Sequence, residues 1–138
     1  METFEKLEVW REGKKLAVEI YRAFRFCRDF SFRDQIQRAA VSIPANIAEG
    51  LERTSPAECK HFISFAKGSA GELRAFLYIA EEADLLHSDA AQRLRAKAVQ
   101  ISKQLHHFIL SLESRFLLKK TARNPVHPST STSCRQVW

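Results

Sequence analysis

Glycine and proline are scarce in this chain, four of each in 138 residues, and runs of β-branched residues are rare. Turn-rich β folds depend on those residues, so their scarcity leaves a helical protein as the natural reading. Cysteine is scarcer still, and the three present (Cys27, Cys59, Cys134) are odd in number and far apart. That argues against a disulfide framework or a zinc site, and for reduced thiols in the cytoplasm. No run of about 18 apolar residues occurs, so no membrane-spanning helix is expected. The stretch Met1-Glu2-Thr3-Phe4-Glu5-Lys6 has no basic region followed by an apolar one, so no signal peptide is expected either.

What is present is an ordinary amount of apolar residue, 45%, with 28% charged. A chain of this length can bury a real core as one domain without disulfides. The net charge of +6 is unevenly spread. Residues 1–53 hold ten basic and nine acidic groups, whereas residues 88–138 hold nine basic and two acidic. The basicity therefore sits in the last helix and the tail.

The chain is organised around Gln35-Ile36-Gln37-Arg38-Ala39-Ala40-Val41-Ser42-Ile43-Pro44-Ala45-Asn46-Ile47-Ala48-Glu49-Gly50. Ile36, Ala40, Ile43 and Ile47 recur at helical spacing and share one face. Arg38, Ser42, Asn46, Glu49 and Arg53 form a polar stripe beside it. Pro44 removes a backbone donor and presses on the carbonyl of Ala40. The apolar series keeps its phase across the proline, so one helix kinked at Pro44 is predicted in place of two short ones.

A first helix is predicted from Phe4 to Arg28, with Trp10, Ala17, Ile20, Phe24 and Cys27 on one face and Gly13 in the same seam. Glu8 with Arg11, Glu12 with Lys15, and Glu19 with Arg22 lie three apart, suited to ion pairs that cancel charge locally. Ser31 is the expected N-cap of helix two. Ser55, Pro56 and Glu58 form a capping box opening helix three, which runs to about Leu86. Its expected inner face is Phe62, Phe65, Ala66, Ser69, Leu73, Phe76, Leu77 and Ala80. Gly68 and Gly71 suggest close approach by another helix, with Ser69 and Glu72 meeting the polar stripe of helix two. Ser88 opens helix four, whose seam is Leu94, Ala98, Ile101, Leu105, Phe108 and Leu112. Beside it runs Arg93, Lys97, Gln100, Gln104, His107, Ser111 and Arg115, a stripe with no acid. The expected fold is all-α, an up-down-up-down four-helix bundle over residues 1–120. The Pro-, Ser- and Thr-rich residues 121–138 are expected to be a disordered tail. Val41, Ile63 and Ile79 hint at a second apolar surface and self-association.

The blocks Leu7-Glu8-Val9-Trp10, Ser42-Ile43-Pro44-Ala45-Asn46-Ile47-Ala48-Glu49-Gly50, Phe62 through Ala66, Gly68-Ser69 and Glu72-Leu73 resemble the bacterial four-helix-bundle proteins that include those encoded in intervening sequences of 23S ribosomal RNA genes. The resemblance spans roughly residues 4–112. It implies a single bundle assembled into a ring of five, with no established enzymatic activity. A distant relative by fold, the accessory protein of diversity-generating retroelements, is a basic pentamer that binds nucleic acid and reverse transcriptase. Through that likeness the resemblance implies binding of RNA or DNA.

The polar set Arg38, Ser42, Asn46, Glu49, Ser69 and Glu72 reads as a structural network, since no nucleophile with an adjacent base stands in it. Glu49 and Glu72 lack the surrounding carboxylates or Glu-x-x-His pattern of a metal site, and His61, His106 and His107 lack chelating spacing. No cofactor is expected. Arg93, Lys97, Arg115, Lys119 and Lys120 are the candidate phosphate-binding residues. The aromatic residues lie mostly on apolar faces, which argues against base stacking and sequence readout. The two functions carried forward are a non-enzymatic homo-oligomer that binds RNA or DNA, and a protein–protein adaptor.

Overall fold

The computed structural model describes residues 3–123, apart from the side chains of Phe116, Lys119 and Arg123. A 3-10 turn at Phe4–Lys6 precedes four helices: α1 (Glu8–Ala23), α2 (Phe30–Leu51), α3 (Pro56–Glu82) and α4 (Ser88–Arg123). Contacts run from α1 to α2, α2 to α3, α3 to α4 and back from α4 to α1, which closes an all-helical bundle around one core. The predicted boundary at residue 120 falls inside α4, and residues 124–138 of the predicted tail lie outside the described residues.

The first helix is shorter than its sequence pattern suggests. Leu7 is extended, separating the 3-10 turn from α1, and the helix ends at Phe24. Phe24 turns fully into the core, where its ring lies 6.0 Å from that of Phe32. Phe32 in turn meets Phe76 edge-on at 5.9 Å. These three rings plug the end of the bundle and hold the α1–α2 connection against it. Cys27, expected on the core seam, is only half-buried there.

α2 is a single helix with Pro44 inside it. Its seam is as read, with Ile36, Ala40, Ile43 and Ile47 fully buried. Gly13 of α1 lies against it: a Cβ there would meet Ile43 Cγ2 at 3.3 Å and the Pro44 nitrogen at 3.7 Å. The N-cap of α2 is Asp29, not Ser31; its carboxylate accepts from the Phe32 amide at 3.1 Å. Ser55 caps α3 as predicted, accepting from the Glu58 amide at 3.1 Å.

The inner face of α3 is rotated from the expected one. Cys59, Ile63, Ala66, Ala70, Leu73, Leu77 and Ala80 are buried, whereas Phe65 is 54% exposed. Ile63 thus belongs to the core, and Phe65 joins Val41 and Ile79 outside. The small side chains of Ala66 and Ala70 let the neighbouring helices close over this seam. Gly68 and Gly71 also point outward, with no atom of the described residues within 4 Å of a Cβ built on either, so none of the four helices approaches them. In α4 the seam is as read, except that Ile109 is buried and Phe108 is half-buried.

Candidate nucleic-acid interface

No charged or polar side chain is fully buried among the described residues, so the charges can be assigned from surface geometry. The predicted polar network is smaller than expected. Ser42 Oγ and Ser69 Oγ lie 2.8 Å apart across α2 and α3, and Asn46 Nδ2 donates to both the carbonyl and the hydroxyl of Ser42 at 2.8 Å. Glu49 pairs instead with Arg53, just beyond the C-terminal end of its own helix. Arg38 and Glu72 are exposed and do not join. The three short side chains fix how α2 and α3 sit together and offer no reactive pair. Among the described residues no three His, Cys, Asp or Glu side chains converge on a point where a metal ion would sit. His106 Nδ1 lies 3.2 Å from Lys67 Nζ, and His61 packs edge-on to Phe65.

The basic stripe of α4 is divided. Arg93 and Lys97 both reach Glu19 of α1, at 2.8 and 2.5 Å, so one carboxylate offsets two cations. Arg115 and Lys120 are exposed, and the side chain of Lys119 lies outside the description. Only one of the three predicted pairs within α1 forms, Glu12 with Lys15 at 3.6 Å. Burial alone would raise the pKa of Glu19, but hydrogen bonds from Lys97 and Arg93, reinforced by their charges, hold it below the ordinary value of 4.5. A depressed folded pKa contributes stability above the unfolded value and loses it as pH falls through the folded one. Replacing Glu19 by Gln is therefore expected to lower stability by on the order of 1 kcal/mol at neutral pH, since the three side chains are partly solvated. The difference in Tm from the parent should shrink as pH drops below 4.5 and vanish once Glu19 is protonated. Thermal melts from pH 7 to 3 check this, and a pH-independent difference would refute the linkage.

Because Glu19 reaches across to α4, Arg22 loses its expected partner. Residues 20–33 hold four arginines (Arg22, Arg25, Arg28, Arg33) and a single acid, Asp29, which is engaged as the cap of α2. Arg22, Arg25 and Arg28 are exposed, with no carboxylate in ion-pair range among the described residues. Arg33 lies 3.8 Å from its neighbour Asp34. Between α1 and α2 runs an open groove of about 630 Å³. Lys14, Arg22, Arg25 and Arg33 rim it, while Val18, Tyr21, Val41 and Pro44 form its floor. Three aromatic residues at this corner are exposed: Tyr21 by 48%, Phe26 by 87% and Phe30 by 60%. Two carry guanidinium groups over their rings, Arg33 on Phe30 at 4.8 Å and Arg25 on Phe26 at 5.9 Å. At this corner the expectation that the aromatics lie mostly on apolar faces is corrected. The signal was present as arginines interleaved with aromatics in Tyr21-Arg22-Ala23-Phe24-Arg25-Phe26, but a helix running to Arg28 hid it.

Fold and surface together define an all-α four-helix bundle with a basic, aromatic-flanked groove. The sequence profile described as 23S rRNA-intervening sequence protein matches residues 5–107, and the chain belongs to that family. The crystal structure of a protein of unknown function from the S23 ribosomal protein family of Bacteroides thetaiotaomicron VPI-5482 has the same fold. Its TM-score is 0.70 at 23% identity, over 73% of this chain and 97% of that one. No curated protein matches the chain. No helix of the described residues is long and apolar enough to cross a membrane.

Proposed function

We propose that this protein is a non-enzymatic bundle of the cytoplasm that associates with copies of itself and binds RNA or DNA through its basic surface. The observation that supports binding most directly is the placement of Glu19. Its two partners on α4 are neutralised, while Arg22, Arg25 and Arg28 remain uncompensated beside the α1–α2 groove. Weight therefore moves from the predicted α4 stripe to this corner, with Arg115 and Lys120 adding positive field along α4. Polyanions respond to such a field through release of their counterions, without reading sequence. The free thiols Cys27 and Cys59 suit a reducing compartment.

Self-association is supported by the outward stripe of α3, where Phe65 and Ile79 are about half exposed and Gly68 and Gly71 leave open space. A ring of five, the assembly that the family resemblance implies, would repeat the basic corner five times and raise avidity for a long polyanion. The same apolar stripe also favours a second reading, a scaffold whose partner is a different protein.

Fluorescence anisotropy on the full chain with labelled RNA and DNA, over a series of salt concentrations, tests the proposal. Four arginine contacts to a single strand predict a slope of log affinity against log salt near −3. Sedimentation velocity on the same sample reports the assembly. Affinity no tighter than about 10⁻⁴ M at physiological salt, together with a discrete oligomer, would instead favour the scaffold.

A further inference from the structure

We infer that the α1–α2 groove and the corner beyond it form a seat for a single-stranded nucleic acid, with bases laid on Tyr21, Phe26 and Phe30 and phosphates held by the arginines between them. The inference rests on the nucleic-acid reading above and specifies which form of the polymer is bound and how. Three large aromatic side chains are exposed within ten residues, and none of them belongs to the core. Their rings are about half exposed or more, and an unpaired base has a π-face that can stack on such a ring. A duplex keeps its bases stacked on one another and cannot use them.

The charges follow the same line. Cations stand on both sides of the groove, Lys14 and Arg22 from α1, Arg25 from the turn that follows it, and Arg33 from α2. From Lys14 to Arg22 the α1 wall extends roughly 12 Å by the helical rise, a linear track suited to a flexible polyanion. Val18, Val41 and Pro44 offer apolar carbon, and Tyr21 and Gln37 are the uncharged polar side chains of the lining, so base faces are accommodated with little reading of base identity. Arg33 over Phe30 shows that this corner already accepts a flat, delocalised group against an aromatic ring. Binding is accordingly selective for single strands and tolerant of sequence.

The test compares a labelled 12-nucleotide oligouridylate, which has little structure of its own, with an RNA duplex of the same length. The full chain and four variants are measured: Tyr21→Ala, Tyr21→Phe, Phe30→Ala and Lys103→Glu. The single strand is expected to bind at least tenfold tighter than the duplex. Tyr21→Ala and Phe30→Ala should each weaken single-strand binding about tenfold, the usual scale for one stacked base. They should leave the salt slope unchanged, because no phosphate contact is lost. Tyr21→Phe keeps the ring and should retain affinity, and Lys103→Glu, a charge reversal on exposed α4 surface, should stay within about twofold. Unchanged melting temperatures exclude misfolding, since both aromatic side chains are about half exposed or more. Equal or tighter duplex binding, indifferent to the aromatic variants, would overturn this inference and leave the nucleic-acid reading standing. Absence of binding to either polymer would overturn both, and so would binding only to vesicles of anionic phospholipid.

Discussion

Reversing Arg22, Arg25 and Arg28 together to glutamate is expected to weaken nucleic-acid binding at least a hundredfold near 0.15 M salt. Each phosphate contact to a single strand contributes about 0.7 to the salt slope, which at that concentration corresponds to roughly a fourfold gain in affinity. Three contacts make roughly fiftyfold, and the introduced repulsion carries the loss beyond a hundred. The slope itself should flatten by about 2. All three side chains are exposed and have no ion pair among the described residues, so the melting temperature should not fall. The contrasting variant reverses Arg93 and Lys97. Those cations already face Glu19, so their reversal should change binding only severalfold while lowering stability through repulsion of that carboxylate. If instead the α4 variant abolishes binding and the corner variant does not, the interface lies where the sequence alone placed it.

That contrast shows what one-dimensional reading can and cannot reach. Four helices, the N-cap at Ser55, and the seams of α2 and α4 were legible because each depends on spacings of three and four residues. The face of α3 was not. Phe65 and Ile63 both extend plausible apolar stripes, and only the neighbours decide which one turns inward. Charge pairing failed for a similar reason. Glu19 and Arg22 satisfy the local rule, yet Glu19 is claimed by residues 74 and 78 positions further along the chain. Local propensity also overran the end of α1. The burial of Phe24 and its contact with Phe32 stop the helix early, and the residues beyond it, Arg25 to Phe30, then form an exposed corner.

The α1–α2 crossing carries the largest expected loss of stability. Replacing Ile43 by Ala should lower the unfolding free energy by about 3–5 kcal/mol, the upper part of the range for a buried aliphatic truncation. Ile43 is fully buried, and the position facing it is Gly13, which has no side chain to relax into the vacated space. For a domain of this size the Tm should fall by roughly 10–20 °C. Gly13→Ala has the opposite fault. Its methyl would stand 3.3 Å from Ile43 Cγ2, so crowding opposes the gain of about 1 kcal/mol from exchanging a helical glycine for alanine. Combined, the two changes should compensate, because the alanine methyl at position 13 enters the cavity left at position 43. Denaturant unfolding of the parent, both single variants and the double variant gives the coupling free energy directly. A double variant at least 1 kcal/mol more stable than the sum of the singles predicts is expected. Strict additivity would mean that α1 and α2 do not meet at Gly13 and Ile43, and that the groove between them is not built on this crossing.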